Sequence, residues 1–106
     1  MAYCVVADVK AVLDIAAAVV TYDAELTACV VSADALIDSL LEPHDLSVPA
    51  SVPQNIEDAS AHYAAWLFRR RRDPKGAAAF KLEAEVFLQA YIDSMSELAF
   101  KVVNDQ

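Results

Sequence analysis

The chain has 106 residues, of which 58% are hydrophobic, and a formal net charge of −8. This length predicts one domain, 1–106, with a single core. One glycine and four prolines, the prolines all between Glu42 and Lys75, exclude a turn-rich β-sandwich or barrel and favour an all-α fold. No run approaches the roughly 20 apolar residues of a membrane span, and no basic leader precedes the first apolar stretch. We therefore expect a soluble protein that is not exported.

The N-terminal part of the chain predicts one short helix between two irregular segments. Residues 3–6 are β-prone and are expected to form an extended lead-in. Asp8 to Leu13 has the apolar spacing of a short helix. Residues 16–22 tolerate a helix through their alanines, but Val19 to Tyr22 prefer extended structure, so this segment is predicted to be a connector.

A second helix is predicted from Asp23 to Leu41. Its apolar positions recur every three or four residues: Leu26, Val30, Ala33, Ile37 and Leu40. The opposite side is expected to carry an acidic stripe of Asp34, Asp38 and Glu42. Like charges four residues apart repel each other by a few tenths of a kcal/mol. The stripe is therefore either a solvated face or a surface for a partner.

A long proline-containing loop, Glu42 to Ala50, is predicted to lead into a third helix from Ser51 to Arg72. Two helix starts are open, a capping box of Ser51 with Gln54, or Val52 as the cap with Pro53 at the first helical position. The apolar side of this helix is expected to comprise Ile56, Ala59, Tyr63, Ala64, Trp66 and Leu67. Because its pattern is the clearest in the chain, we expect this helix to be central.

The remaining sequence predicts a turn and a long last helix. Residues 73–76 read Asp-Pro-Lys-Gly, which is typical of a turn. A helix is then predicted from Ala77 to near Phe100, and residues 101–106 are expected to form a flexible tail. The fold prediction is thus an all-α bundle of about four helices, one short and three longer.

Positive charge is concentrated at the end of the third helix. Up to Phe68 the only basic residue is Lys10, and a cluster of five cations follows: Arg69, Arg70, Arg71, Arg72 and Lys75. The arginines favourably meet the negative end of the helix dipole. They could alternatively pair with a neighbouring subunit or another protein, or contact DNA.

No catalytic or cofactor motif is present in the sequence. A single glycine cannot form a phosphate-binding loop, and no nucleophile–histidine pattern occurs. Cys4 and Cys29 lack the neighbours of a zinc site, so we expect them to be small buried side chains. A metal held by His44, His62 and Asp58 is a weak hypothesis. The sequence therefore predicts no enzyme, no metal and no cofactor.

The order of core and cap residues resembles the small helical head–tail connector proteins of tailed phages, also called adaptor or head-completion proteins. The resemblance covers Asp8 to Arg72 and is carried by Val9-Lys10-x-x-Leu13, Asp23-x-Glu25-Leu26, Ala33, Ile37, Val52-Pro53-x-x-Ile56-x-x-Ala59, Ala64 and Leu67. These are structural rather than catalytic positions. The alanine-rich segment before Thr21 and the dense arginine end depart from the family pattern.

The resemblance implies a homo-oligomeric ring, commonly of twelve copies, assembled in the host cytoplasm and seated beneath the portal at the head–tail junction of the virion. Such a ring extends the channel through which DNA passes without specific binding, and it meets a tail-side neck or tail-completion protein. The basic cluster and the acidic stripe are then the candidate subunit or portal interface. The alternative hypothesis is a small helical regulatory or nucleic-acid-binding module.

Overall fold

A computed structural model describes the backbone of residues 2–104 and the side chains of residues 2–98. Within that part of the chain all regular elements are helical, which confirms the predicted all-α bundle. The four α-helices are α1 (Val6–Leu13), α2 (Asp23–Leu41), α3 (Gln54–Arg69) and α4 (Pro74–Asn104), and a 3-10 turn (Glu42–His44) follows α2. The predicted pattern of one short and three longer helices is therefore confirmed.

The connector between α1 and α2 is held by a buried lysine. Lys10 is 6% exposed, and its ammonium group lies 2.6 Å from the Asp23 carboxylate. The same group donates a hydrogen bond to the carbonyl of Ala17 at 3.3 Å. Because Asp23 begins α2, this contact fixes the end of α1 and the start of α2 against the connector. The predicted irregular segment is confirmed.

The buried face of α2 differs from the prediction at three positions, 34, 40 and 41. Leu40 is 39% exposed, whereas Leu41 is fully buried. Asp34, expected on the outer side, is itself buried at 9% exposure. Position 34 lies four residues after Val30 and three before Ile37, so helical geometry places it on the same face as these core residues.

Helix α3 is central, as predicted, because it packs against each of the other three α-helices. Its most deeply buried residues include Ile56, Ala59, Ser60, Tyr63 and Ala64. Phe68, which the predicted apolar side omitted, is also buried, while Trp66 and Leu67 are only partly covered.

The start of α3 matches neither predicted cap. Helix α3 begins at Gln54, and Pro53 occupies the N-cap position without a side-chain cap. The carbonyl of Pro53 accepts hydrogen bonds from the N–H groups of Ile56 and Glu57 at 3.1 and 3.0 Å. Because the Pro53 backbone is extended at ψ 152°, the residue lies just outside the helix rather than at its first position.

The turn between α3 and α4 lies three residues earlier than predicted, at 70–73 instead of 73–76. Helix α3 ends at Arg69 instead of Arg72, and α4 begins at Pro74 instead of Ala77. The carboxylate of Asp73 accepts a hydrogen bond from the N–H of Gly76 at 3.1 Å, as an N-cap side chain does. A Cβ atom at Gly76 would lie 2.2 Å from this carboxylate, so glycine leaves room for the cap.

Helix α4 is the longest element, and its inner face covers α3. Its buried residues are Ala77, Ala84, Leu88, Tyr91 and Ile92. With 31 residues, α4 spans about 46 Å, nearly twice the length of α3. The backbone remains helical to Asn104, beyond the predicted end near Phe100 and through part of the predicted tail; residues 105 and 106 lie outside the described part.

Candidate interaction surfaces

Arg72 is the most strongly bound member of the basic cluster. Its guanidinium donates hydrogen bonds to both carboxylate oxygens of Glu25, at 2.9 and 3.3 Å, and to the carbonyl of Phe68 at 3.1 Å. The hydrogen bond from Arg72 lowers the pKa of Glu25 and raises the pKa of Arg72 itself. Arg72 thereby joins the turn after α3 to the first turn of α2.

An aromatic pair lies beneath this ion pair. The guanidinium of Arg72 is 4.1 Å from the ring centre of Phe68 and 5.6 Å from that of Tyr22. The two rings meet edge to face, with their centres 5.4 Å apart. This geometry is typical of favourable cation–π and aromatic contacts. Arg72 therefore stabilises the fold of its own chain. The sequence could not show this role, because it depends on contacts with distant residues.

The other cations of the cluster are oriented differently. The side chain of Arg71 is 72% exposed and lies 3.7 Å from Glu25, a distance that leaves its hydrogen-bond donors mostly to solvent. Arg70 is exposed and stacks on the ring of Trp66 at 4.7 Å. Lys75 is exposed and Arg69 is half-buried. Arg70, Arg71 and Lys75 thus present positive charge outward.

A groove runs along the seam between α2 and α3 beside these arginines. It has a volume of about 160 Å³. It is lined by Glu25, Ala28, Cys29, Ser32, Leu67, Arg70 and Arg71. The lining is therefore made of small or apolar side chains with a charged rim at one end.

The acidic stripe is divided by the fold, because Asp34 belongs to a buried polar network. The hydroxyl of Ser60 on α3 donates to the Asp34 carboxylate at 2.6 Å, and the N–H of Tyr3 donates to its other oxygen at 3.0 Å. Sγ of Cys4 lies 3.2 Å from the same Ser60 oxygen. Burial raises the pKa of Asp34 and raises that of the Cys4 thiol to about 11. Asp34 is therefore not available as a surface contact.

Asp38 and Glu42, by contrast, are exposed and line an open cleft at the C-terminal end of α2. This cleft has a volume of about 450 Å³ and is lined by Tyr3, Asp38, Glu42, Asp45, Leu46, Ser47 and Val48. The Tyr3 hydroxyl donates to Asp38, and burial together with this bond raises the pKa of Tyr3 to about 12. Asp45 adds a third carboxylate that the stripe pattern missed. It adopts a left-handed conformation at φ 59°, which aspartate tolerates better than most residues.

The outward arginines and the acidic cleft lie toward opposite ends of α2. Arg71 and Arg72 contact Glu25 near its start, whereas the cleft carboxylate of Asp38 is 13 residues further along (38 − 25). At about 1.5 Å per residue, this places the two charged regions about 20 Å apart. One molecule therefore carries two distinct surfaces of opposite charge.

The histidines are not grouped for metal binding. Nε2 of His62 lies 3.0 Å from the Glu83 carboxylate, and its Nδ1 lies 2.8 Å from the carbonyl of Asp58. The ring of His62 thus contacts the side chain of Glu83 on α4 and the backbone, but not the side chain, of Asp58. Among the described side chains, no group of three or more potential ligands is arranged around a common metal position.

None of the helices in the described range has both the length and the hydropathy needed to cross a bilayer. Comparisons with models of protein families, with curated proteins and with solved structures find no match to this chain.

Proposed function

We propose that this protein is a structural adaptor of a tailed-phage neck. In this role it forms a ring beneath the portal, extends the DNA channel and joins the capsid to the tail. The resemblance of its core and cap residues to head–tail connectors suggests the role, and the arrangement of its surfaces supports it. Its outer surfaces, and not a catalytic site, carry this function.

The observation that carries the proposal is the separation of charge along α2. A ring built head to tail requires two different complementary patches on each subunit. The outward cations Arg70 and Arg71 lie near one end of α2, and the cleft carboxylates of Asp38 and Glu42 lie near the other. Each surface is accessible for a separate neighbour, such as another subunit, the portal or a tail-side protein.

The net charge of the chain is also suited to a DNA channel. Basic surfaces bind DNA because each neutralised phosphate releases counterions. A ring of subunits with a formal net charge of −8 each repels the DNA backbone on average. DNA can then slide through the channel without adhering to its wall.

The proposal is tested by binding to the portal protein of the same phage. We expect the chain to co-elute with the portal, and Arg70→Gln/Arg71→Gln to weaken that binding. The matched control is Val5→Glu/Ser96→Glu, which makes the same change of −2 in net charge at two exposed positions elsewhere. Failure of the wild-type chain to bind the portal, or tight binding to duplex DNA at moderate salt, would contradict the proposal.

A further inference from the structure

The outward face of α4 carries an exposed apolar ridge. Leu82 and Val86, one helical turn apart, are 63% and 68% exposed. The ridge is extended by exposed alanines at Ala78, Ala79 and Ala90. Exposure of two large aliphatic side chains in register on one helix is typical of a contact surface, whereas isolated exposed apolar residues are common.

Carboxylates flank this ridge. At 100° per residue, Glu83 and Glu85 lie on either side of the line that joins Leu82 to Val86. Both are exposed, and their partners within the described structure are His62 at 3.0 Å and Lys81 at 4.0 Å. We define the α4 ridge as Leu82 and Val86 together with the flanking Glu83 and Glu85. It is apolar along its centre and negatively charged along both sides.

The groove between α2 and α3 has the complementary character. Its lining of Ala28, Cys29 and Leu67 is small and apolar, and Arg70 and Arg71 lie at its rim. A cavity of about 150 Å³ is large enough for a benzene-sized group. At about 160 Å³ the groove can therefore accept one large aliphatic side chain.

The ridge cannot fill the groove of its own molecule. Ala84 and Leu88 are on the buried side of α4, and Leu82 and Val86 point away from it. Consequently, both the ridge and the groove are exposed to solvent on each copy of the protein, and each can bind another molecule. Two surfaces of this kind, different and complementary, are what a head-to-tail contact requires.

We infer that the α4 ridge of one copy docks in the α2–α3 groove of a second copy. Leu82 or Val86 enters the groove, and Glu83 and Glu85 face Arg70 and Arg71 of the other copy. This is the helix-in-groove mode of recognition, with apolar anchors one turn apart. The inference rests on the proposed function, in which it supplies the contact between ring neighbours. The acidic cleft at Asp38 and Glu42 then remains free for a different partner.

Two variants that each disable one surface test this contact by native mass spectrometry. The groove variant is Arg70→Glu/Arg71→Glu and the ridge variant is Leu82→Glu/Val86→Glu; circular dichroism verifies that both remain helical. We expect the wild type to form oligomers and each variant alone to remain monomeric. An equimolar mixture should give one-to-one dimers and nothing larger, because one working ridge meets one working groove. The control Val5→Glu/Ser96→Glu should oligomerise like the wild type.

A charge-reversal experiment identifies which carboxylates face the arginines. Adding Glu83→Arg/Glu85→Arg to the groove variant should restore oligomers, whereas adding Asp38→Arg/Glu42→Arg should not. Restoration by the second pair only would overturn the inference and assign the arginines to the acidic cleft of the neighbour. Oligomers of either variant alone, or no dimer in the mixture, would also overturn it.

These outcomes are independent of the test of the proposed function. If the wild type is monomeric at every concentration without the portal, and the groove variant loses portal binding while the ridge variant keeps it, then the groove binds the portal and the inference is wrong. If the variants dimerise as expected but the wild type does not bind the portal, the ridge–groove contact is supported and the proposed function is wrong.

Discussion

Ser60 and Asp34 form a 2.6 Å hydrogen bond in the interior, between the central helix α3 and the buried face of α2. The same carboxylate accepts the N–H of Tyr3, so it also fixes the start of the chain to the bundle. A buried carboxylate with satisfied hydrogen bonds is stable in this position, but desolvation still disfavours its charge. The stability of the protein should therefore depend on the protonation of Asp34.

Asp34→Asn should change the pH dependence of stability. Because burial raises the pKa of Asp34 in the folded chain above its unfolded value, the stability it contributes is present at low pH and is lost as the pH rises through the raised value. An asparagine is neutral throughout, can donate to Ser60 and can accept from Tyr3. The free energy of unfolding of the variant, relative to wild type, should therefore increase between about pH 3 and pH 7. Denaturant titrations at both pH values measure this difference, and a difference that is constant or falls with pH would contradict the prediction.

Ser60→Ala should destabilise the protein by about 1–3 kcal/mol at neutral pH, since it leaves a buried carboxylate without one of its donors. Ser60 is fully buried. Ser32→Ala, at an exposed position of α2, is the matched control and should change stability by less than about 0.5 kcal/mol. Equal effects of the two substitutions on chemical denaturation would show that the Ser60 hydroxyl does not support Asp34.

Arg72→Ala should lower the melting temperature more than Arg70→Ala does. Arg72 contacts Glu25, Phe68 and Tyr22, whereas Arg70 contacts the face of Trp66. Because the Arg72–Glu25 pair is open to solvent, part of the loss should disappear at high salt. Thermal denaturation in low and high salt measures both effects. A larger loss for Arg70→Ala would mean that the roles assigned to the two arginines are reversed.

Asp73→Ala should destabilise the fold by about 1 kcal/mol, because it removes the side-chain cap from the N–H of Gly76 at the start of α4. Asp73→Asn keeps a capping oxygen and should retain most of the stability. Urea unfolding of both variants provides the comparison. An asparagine variant as unstable as the alanine variant would argue against a capping role.

Much of the fold could be predicted from the sequence because the helices follow local rules. The bounds of α2, Asp23–Leu41, agree with the prediction, which rested on the recurrence of apolar residues every three or four positions. The predicted start of α4 was wrong. The sequence Asp-Pro-Lys-Gly is compatible with a turn, but also with an N-cap followed by proline at the first helical position. Local sequence alone does not separate these two structures.

The candidate surfaces were less predictable because their chemistry depends on contacts between distant residues. Asp34 was placed on an acidic stripe by its spacing from Asp38, yet its position also suits the buried face, and its partner Ser60 is 26 residues away. Arg72 was grouped with its neighbours, although Glu25, 47 residues earlier, engages it. The exposure of Leu82 and Val86, by contrast, follows from local spacing, because the apolar pattern of α4 places Ala84, Leu88 and Tyr91 on the opposite, buried side.

The most direct test of the adaptor role is negative-stain electron microscopy of the purified chain mixed with portal rings of the same phage. We predict an added ring, coaxial with the portal and on its tail-facing side, that is absent from portal rings alone. Portal rings that look the same with and without the chain would contradict the proposed role.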